Sequence, residues 1–489
     1  MTEDLWSPGR ALHQYANEAA DEIALICIRQ NGSHDELTRT ELDRWSSQVA
    51  YRVLDANIGV GDYVPIVFPN CIEHIVATMG IYKAGGTPMP VSHSMPTVER
   101  NALIELASAK IVFADTSDLD GITRDQMARS GDYPDSTPPD VTPQPAKAVA
   151  SGGSTGKPKL IVSPGPFAYP NGVHPLAVVL QLEKQDLVYS PGPLYHNGPF
   201  LITQVALFTG ARAIINERFG TLGTLDTIER FHPTVLNLVP TMMQRMLQTE
   251  TIETRNLSSV RRLWHYASAC PAWVKEKWID LIGADKVWEL WAATEFNGLT
   301  TISGEEWLLR RGSVGRPIMT EIRIVGDQMK ELPPGEIGEI YSRFGGGAPP
   351  YMYLGAEPLP CTDDNFSSVG DLGYLDEDGY LYLSDRRVDL IISGGANIFP
   401  AEVESIISSH PKVRDVAVVG IHDDDLGQRV HAIVEPIDFE SPPDQVELDV
   451  MCCNQLARYK SPRTYEMLRK LPRNEAGKIR RLALREGRS

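Results

Sequence analysis

The sequence predicts an α/β protein: a large N-terminal domain of helix-covered mixed or parallel sheets with a small β subdomain, then a small α+β domain. Three observations predict it. Apolar runs of strand length recur between stretches of helical periodicity, the pattern of parallel sheets covered by helices. Past residue 320, short antiparallel strand signals are separated by turns. Beyond 384–389 the chain restarts with its own strand and helix pattern. A length of 489 residues also predicts more than one domain. The expected division is 1–384, a connector at 385–389, and 390–489.

Taken in order, 11–55 mixes helical periodicity with the apolar run 23–28. Residues 63–68 read as a buried strand between Gly61-Asp62 and Pro69-Asn70. A helix runs on to about Ala84 and is closed by Gly85-Gly86. Residues 87–91 and 110–114 read as strands, with an amphipathic segment from Val98 between them. The stretch 132–145, rich in Pro, Asp and Thr, reads as a surface loop. Further strands are expected at 211–215, 235–239 and 322–325, and antiparallel ones at 338–342 and 380–383. In the last hundred residues, 401–409 and 444–459 read as helical, and 413–421 and 428–435 as strands.

Composition narrows the function classes. The net charge of −18 argues against general nucleic-acid binding. The charge is uneven: from Arg458 to Ser489, eleven Lys/Arg face three Glu. Such a patch could meet phosphates, or it could be a solvated cationic surface. Six cysteines lack Cys-x-x-Cys spacing, which argues against zinc and for free thiols in a reducing compartment. The acidic start lacks a signal-peptide pattern, and no apolar run reaches the roughly 18–20 residues of a membrane span. A cytoplasmic protein without a membrane span is expected.

Residues 151–159 are the most informative stretch. Ser151, Gly152, Gly153, Ser154, Thr155 and Gly156 expose backbone N–H groups and hydroxyls, and Lys157 and Lys159 follow. Glycines permit close approach, hydroxyls donate hydrogen bonds and lysines supply charge, which together suit a phosphate. Pro158 after Gly156-Lys157 excludes a Walker A loop, which needs Ser or Thr there. A flexible Gly/Ser linker is the competing reading.

That stretch resembles the phosphate-binding loop of the adenylate-forming superfamily, and further motifs of that family recur in its order. Pro193-Leu194-Tyr195-His196-Asn197-Gly198 resembles the acyl-pocket segment. Trp291-Ala292-Ala293-Thr294-Glu295 resembles the Tyr-Gly-x-Thr-Glu box. Gly312 to Pro317, Gly370-Asp371, Asp385-Arg386, Ser393-Gly394-Gly395, Pro400 to Glu404 and Asn474 to Lys478 follow. The resemblance implies a large N-terminal domain and a small mobile C-terminal domain with the active site between them. It also implies ATP and Mg2+, with CoA as co-substrate.

Joining a carboxylate to the α-phosphate of ATP brings two anions together, so charge stabilisation and positioning should dominate. The resemblance implies Lys478 as the cation bridging carboxylate and α-phosphate, and Glu295 as the Mg2+ ligand beside Thr294. Trp291 stands where the family has an adenine-stacking tyrosine, and Ala292 replaces a glycine. Asp371 would take the ribose hydroxyls, and Arg386 would complete the ribose and phosphate contacts. Lys159 would join the phosphate loop. His196 would line the acyl pocket or its junction with the thiol tunnel. Gly394 and Gly395 would line the tunnel for the acceptor's pantetheine arm. Asn474 replaces the usual Thr, and Val388 stands at the family's hinge position, usually Asp or Lys. An apolar stretch, 199–202, in place of an amine-holding aspartate suggests an aryl or aliphatic acid without an α-amino group.

The leading expectation is a carboxylic acid–CoA ligase: acid and ATP give acyl-AMP and pyrophosphate, then CoA takes the acyl group. An ATP-dependent amide synthetase, with an amine capturing the acyl-AMP, is the alternative. A third is a stand-alone adenylation enzyme loading a separate carrier protein, since no Gly-Gly-x-Ser attachment site follows Lys478.

Overall fold

The computed structural model describes residues 4–127, 132–151, 158–345, 347, 349–386, 388–474, 477–479, 481–486 and 488. The predicted phosphate-loop residues 152–157 lie outside the described residues.

Six short apolar segments build the centre. Ile23–Ile28, Leu187–Ser190, Arg212–Asn216, Val235–Leu238, Arg262–His265 and Val287–Ala292 pair in parallel. Their side chains alternate between two cores. Leu25, Cys27, Ala213 and Ile215 pack into one apolar cluster, and Ile26, Ile28 and Ile214 into another. A strand covered on both faces reads as continuous hydrophobicity, as these do. Helices Arg39–Asp55 and Ile72–Lys83 cover one face, and Asn197–Phe208, Pro240–Leu247 and Ala272–Ile282 contribute to the other.

The sheet continues past Val287–Ala292 through antiparallel strands: Leu299–Ser303, Ser313–Pro317, Leu381–Arg386, Asp371–Leu375, Gly338–Phe344 and Thr320–Val325. With His34–Thr38 at the far edge it has thirteen strands. A separate three-stranded sheet joins Lys147–Ser151, Lys159–Ser163 and Met352–Leu354. One face of it, with Ala148, Leu160 and Val162, closes a third apolar cluster.

The C-terminal part has its own small domain. Val413–Asp423, Gly427–Pro436 and Thr464–Met467 form a three-stranded sheet, and helices Pro400–Ile407 and Gln445–Gln455 pack on it around Val403, Ile407, Val418, Val434 and Leu448. Leu381–Arg386 belongs to the large sheet, so two residues of the expected connector, Asp385 and Arg386, lie in a strand.

The predicted strand 110–114 does not form. Phe113 makes single bridges to Ile66 and Ile122. The Phe113 N–H donates to the Pro65 carbonyl at 2.9 Å and its carbonyl accepts the Val67 N–H at 2.8 Å, so the expected strand shrinks to a bridge at the fully buried Phe113. Several cations of the basic tail are ion-paired. Arg473 pairs with Asp415, Arg481 with Asp389 and Glu404, Arg488 with Glu466, and Lys460 with Glu402. Among the described residues no helix is long and apolar enough to cross a membrane.

Three core histidines carry a pH consequence. Burial pushes His74 to about 4, His174 to about 3 and His265 to about 4. All three are therefore neutral in the folded state, whereas the unfolded chain protonates them near 6.5. Their stabilisation is complete above about pH 6.5 and is lost as pH falls towards 4. The thermal midpoint should fall steadily between pH 7 and 5, above the range where most carboxylates titrate. A flat midpoint across that interval would refute this account.

Candidate active site

Parallel strands end on the same side, so their following loops gather at one edge of the sheet. That edge collects the residues after Ser190, Leu238, His265 and Ala292. They are His196 and Asn197, Thr241, Tyr266, and Thr294 with Glu295. The predicted candidates fall into three groups along it.

The first group surrounds His196, which caps the helix Asn197–Phe208. Burial, together with the nearby charge of Lys478, pushes its pKa down to about 4. Its Nε2 is buried without a hydrogen-bond partner among the described residues. Lys478 reaches this place on a tight turn of the C-terminal domain. The Asn474 N–H donates to the Lys478 carbonyl at 2.9 Å, and Asn474 Oδ1 accepts the Lys478 N–H at 2.8 Å. Asparagine thus closes the turn with its own side chain, which accounts for the departure from Thr. Arg473 anchors the turn, donating to the Gly477 carbonyl at 2.7 Å and holding both oxygens of Asp415. Gly477 has φ +76°, and a Cβ there would stand 2.7 Å from Thr241 Oγ1. Only glycine lets the turn seat against the large domain. Gly198 is confined in the same way: a Cβ would stand 2.4 Å from Tyr266 Cε2.

The second group surrounds Glu295, in a turn closed by the Phe296 N–H on the Ala293 carbonyl at 3.0 Å. Its Oε1 accepts the Tyr353 hydroxyl at 2.6 Å. The Lys159 ammonium lies 3.8 Å from the Tyr353 ring centroid, a close cation–π contact. Ser151 and Lys159 are register partners, so two antiparallel strands bracket the predicted phosphate loop. The third group joins Trp291 and Asp371. The Trp291 indole N–H donates to Asp371 Oδ2 at 3.1 Å. Asp371 and Arg386 face each other as register partners on adjacent strands.

Gly394 and Gly395 are not brought to this edge. They form the two-residue turn between Ile391–Ser393 and Ala396–Ile398, with φ of +56° and +80°. A hairpin turn of that kind favours positive φ at both central positions, so backbone conformation alone explains the glycines. Of the apolar stretch 199–202, Pro199, Phe200 and Ile202 are buried and Leu201 is partly exposed.

Two participants were not singled out from the sequence. Tyr353 lies in an alternating Tyr351-Met352-Tyr353 segment between Pro350 and Gly355, a strand signal that could have been read. Lys147 is a lone charge in Ala146-Lys147-Ala148-Val149-Ala150. Its ammonium donates to Asn197 Oδ1.

A buried histidine within reach of the Lys478 charge, an indole tied to an aspartate, and a carboxylate joined to Tyr353 are groups suited to a nucleotide-dependent acid-activating class of protein. Family comparison agrees. The AMP-binding enzyme family matches residues 12–352, and the AMP-binding enzyme C-terminal domain matches 402–478. The chain belongs to this family, within the adenylate-forming superfamily. It is 28% identical over 485 residues to a 2-succinylbenzoate–CoA ligase of Bacillus licheniformis, covering 96% of this chain and 98% of that one. The o-succinylbenzoate CoA synthetase MenE of Bacillus subtilis, solved with the acyl-adenylate OSB-AMP, superposes with a TM-score of 0.82 at 27% identity, covering 99% of both chains. The same enzyme solved with ATP and magnesium gives 0.80 at 27% identity, covering 99% of this chain and 100% of that one.

Proposed function

We propose that this chain activates a carboxylic acid with ATP and Mg2+ as an acyl-adenylate and passes the acyl group to CoA. The observation that carries the reading is the seating of the Lys478 turn against Thr241, with its charge felt at His196. The relatives named as CoA ligases, and the MenE complexes with acyl-adenylate and with ATP and magnesium, support the same chemistry.

In the first step a carboxylate oxygen attacks the α-phosphorus. A new P–O bond forms, the bond to the β-phosphate oxygen breaks, and pyrophosphate leaves. Lys478 neutralises the charge that gathers between carboxylate and α-phosphate. His196 is neutral at pH 7 and adds no competing charge. Trp291 offers a stacking face for the base, with Asp371 and Arg386 for the ribose. Ser151, Gly152, Gly153, Ser154, Thr155, Gly156 and Lys159 receive the outer phosphates.

Glu295 fits a magnesium–nucleotide site. Among the described residues no three His, Cys, Asp or Glu converge on a metal site, so phosphate oxygens would supply most of the coordination. Tyr353 occupies one oxygen of Glu295. Bound there, the ion would neutralise phosphate charge.

In the second step the thiol attacks the acyl carbonyl and AMP leaves. The chain divides for this at 385–389, between 1–384 and 390–489. Rotation there would withdraw Lys478 and bring the Gly394-Gly395 hairpin towards the acceptor. Val388 stands in this connector and is 67% exposed.

The test is product identification by mass spectrometry with ATP, Mg2+ and a panel of aryl and aliphatic acids. Parallel reactions contain CoA, simple amines, a carrier protein, or none. AMP with an acyl-CoA mass only when CoA is present is expected. An amide or acyl-carrier mass at comparable rate without CoA would replace CoA as the acceptor. No AMP with any acid would overturn the reading.

A further inference from the structure

The two domains meet beside a cleft of about 450 Å³ whose charged groups are mostly of one sign. Arg245 reaches it from the large domain, on the helix Pro240–Leu247. Arg414, Arg469 and Lys470 reach it from the small domain. The contact that brings the two sides together adjoins it: the Gln244 side chain donates to the Arg414 carbonyl at 2.9 Å. Arg245 stands about one helical turn beyond Thr241, against which the Lys478 turn is seated. The cleft therefore lies behind that turn and is lined by none of the residues assigned to the nucleotide or the acid.

Carboxylates do not balance these cations. Glu435 lines the cleft, but its Oε2 accepts the Leu471 N–H at 2.7 Å and its Oε1 lies 3.8 Å from Arg414 Nε. On the rim Glu440 pairs with Arg469 at 3.1 Å with both side chains exposed, and such pairs contribute little. Arg414 and Arg469 are otherwise held by neutral groups, the Ile437 carbonyl at 3.1 Å and the Phe439 ring at 4.2 Å. Arg245 and Lys470 have no ion-pair partner among the described residues. Three guanidinium forks and an ammonium suit phosphate oxygens, which guanidinium takes two at a time. The volume falls within the range of small-molecule sites, and a single phosphate would leave most of the charge unanswered.

Closing the domains gathers these like charges, and Coulomb repulsion opposes that closure. An anion gripped from both sides reverses the sign. An anion that binds only the closed arrangement must stabilise it in return. We infer that the cleft binds a small anion carrying two or more phosphate groups, and that this anion fastens the domains in the arrangement that seats Lys478. The site itself stands independently of the function proposed above; its effect on acyl transfer rests on that reading.

The experiment titrates three probes by calorimetry: inorganic pyrophosphate, inorganic tripolyphosphate and adenosine 3′,5′-bisphosphate, the phosphate-bearing end of CoA. The enzyme is first saturated with Mg2+ and a non-hydrolysable ATP analogue, so that the nucleotide site is filled. At least one probe should bind, with one site per chain. Arg245→Ser and Lys470→Ser should each weaken it about tenfold, the worth of one charge-assisted contact, with the affinity for the ATP analogue unchanged. The tightest probe identifies the source, an inorganic polyphosphate or a nucleotide. That probe should also slow thioester formation from prepared acyl-AMP and CoA in the wild type, and not in Arg245→Ser. No binding to the saturated enzyme would overturn the inference and leave the proposed function standing. Weakening by only one of the two variants would place the anion on a single domain and overturn the fastening. Equal slowing of wild type and Arg245→Ser would assign the probe to the acceptor's own site and overturn it too. Failure of the ATP analogue to bind would count against the proposed function, and the same two variants then decide the cleft in the free enzyme.

Discussion

Replacing Lys478 with alanine should cut acyl-adenylate formation by about 10²–10³-fold, the usual loss when one preorganised charge-stabilising donor is removed. The substitution should leave the fold intact, because the Lys478 side chain is exposed and the turn is closed by Asn474 and Arg473. The measurement is pyrophosphate exchange. Its companion is the reverse assembly: chemically prepared acyl-AMP and CoA given to the same variant. Thioester formation there should continue at close to the wild-type rate, because the lysine acts on the first step alone. Equal losses in both half-reactions would show that Lys478 supports the site generally and would sink the assignment.

The largest effect on stability should come from Lys275→Met. Lys275 is 1% exposed and Glu289 7%, with Nζ and Oε2 2.7 Å apart and His265 at 3.8 Å. Burial alone would raise the Glu289 carboxyl, yet the neighbouring Lys275 ammonium holds it below its usual range. Removing the lysine strands a buried carboxylate, which typically costs about 3–5 kcal/mol. The double variant Lys275→Met with Glu289→Leu should recover most of that, since an apolar pair of similar volume needs no compensation. Urea midpoints of the two variants decide it. A single variant as stable as wild type, or a double variant no better than the single, would contradict the argument.

Much of the fold was legible because parallel strands announce themselves. The expected segments 211–215 and 235–239 lie within one residue of Arg212–Asn216 and Val235–Leu238. Short strands carrying a charge or a small residue were not legible. Lys147–Ser151 shows one buried cation among alanines, a pattern that strand periodicity does not flag. The candidate site residues were named by motif order, and the structure adds which of them are in contact. Register sets Asp371 opposite Arg386, and the indole N–H of Trp291 gives Asp371 a donor that a tyrosine ring lacks. Tyr353 was hidden because its role depends on a strand pairing between residues nearly two hundred positions apart. The ion pairs of Arg473 and Arg481 were hidden for a related reason: their carboxylate partners, Asp389, Asp415 and Glu404, are distant in sequence.

The small domain that carries the Lys478 turn meets the large one through polar groups. Gln244 and Gln248 donate to the Arg414 carbonyl at 2.9 and 3.2 Å, Trp273 donates to Ser408 Oγ at 3.1 Å, and Gly477 lies against Thr241. Polar contacts of this kind hold a part in place without committing it. Turnover is then the rate of chemistry multiplied by the fraction of time the lysine is at its post. On the proposed mechanism Gln244 and Trp273, which hold the small domain, set that duty cycle. Substitutions there can speed or slow the enzyme as a clutch does an engine, leaving the machinery of bond-making as it was.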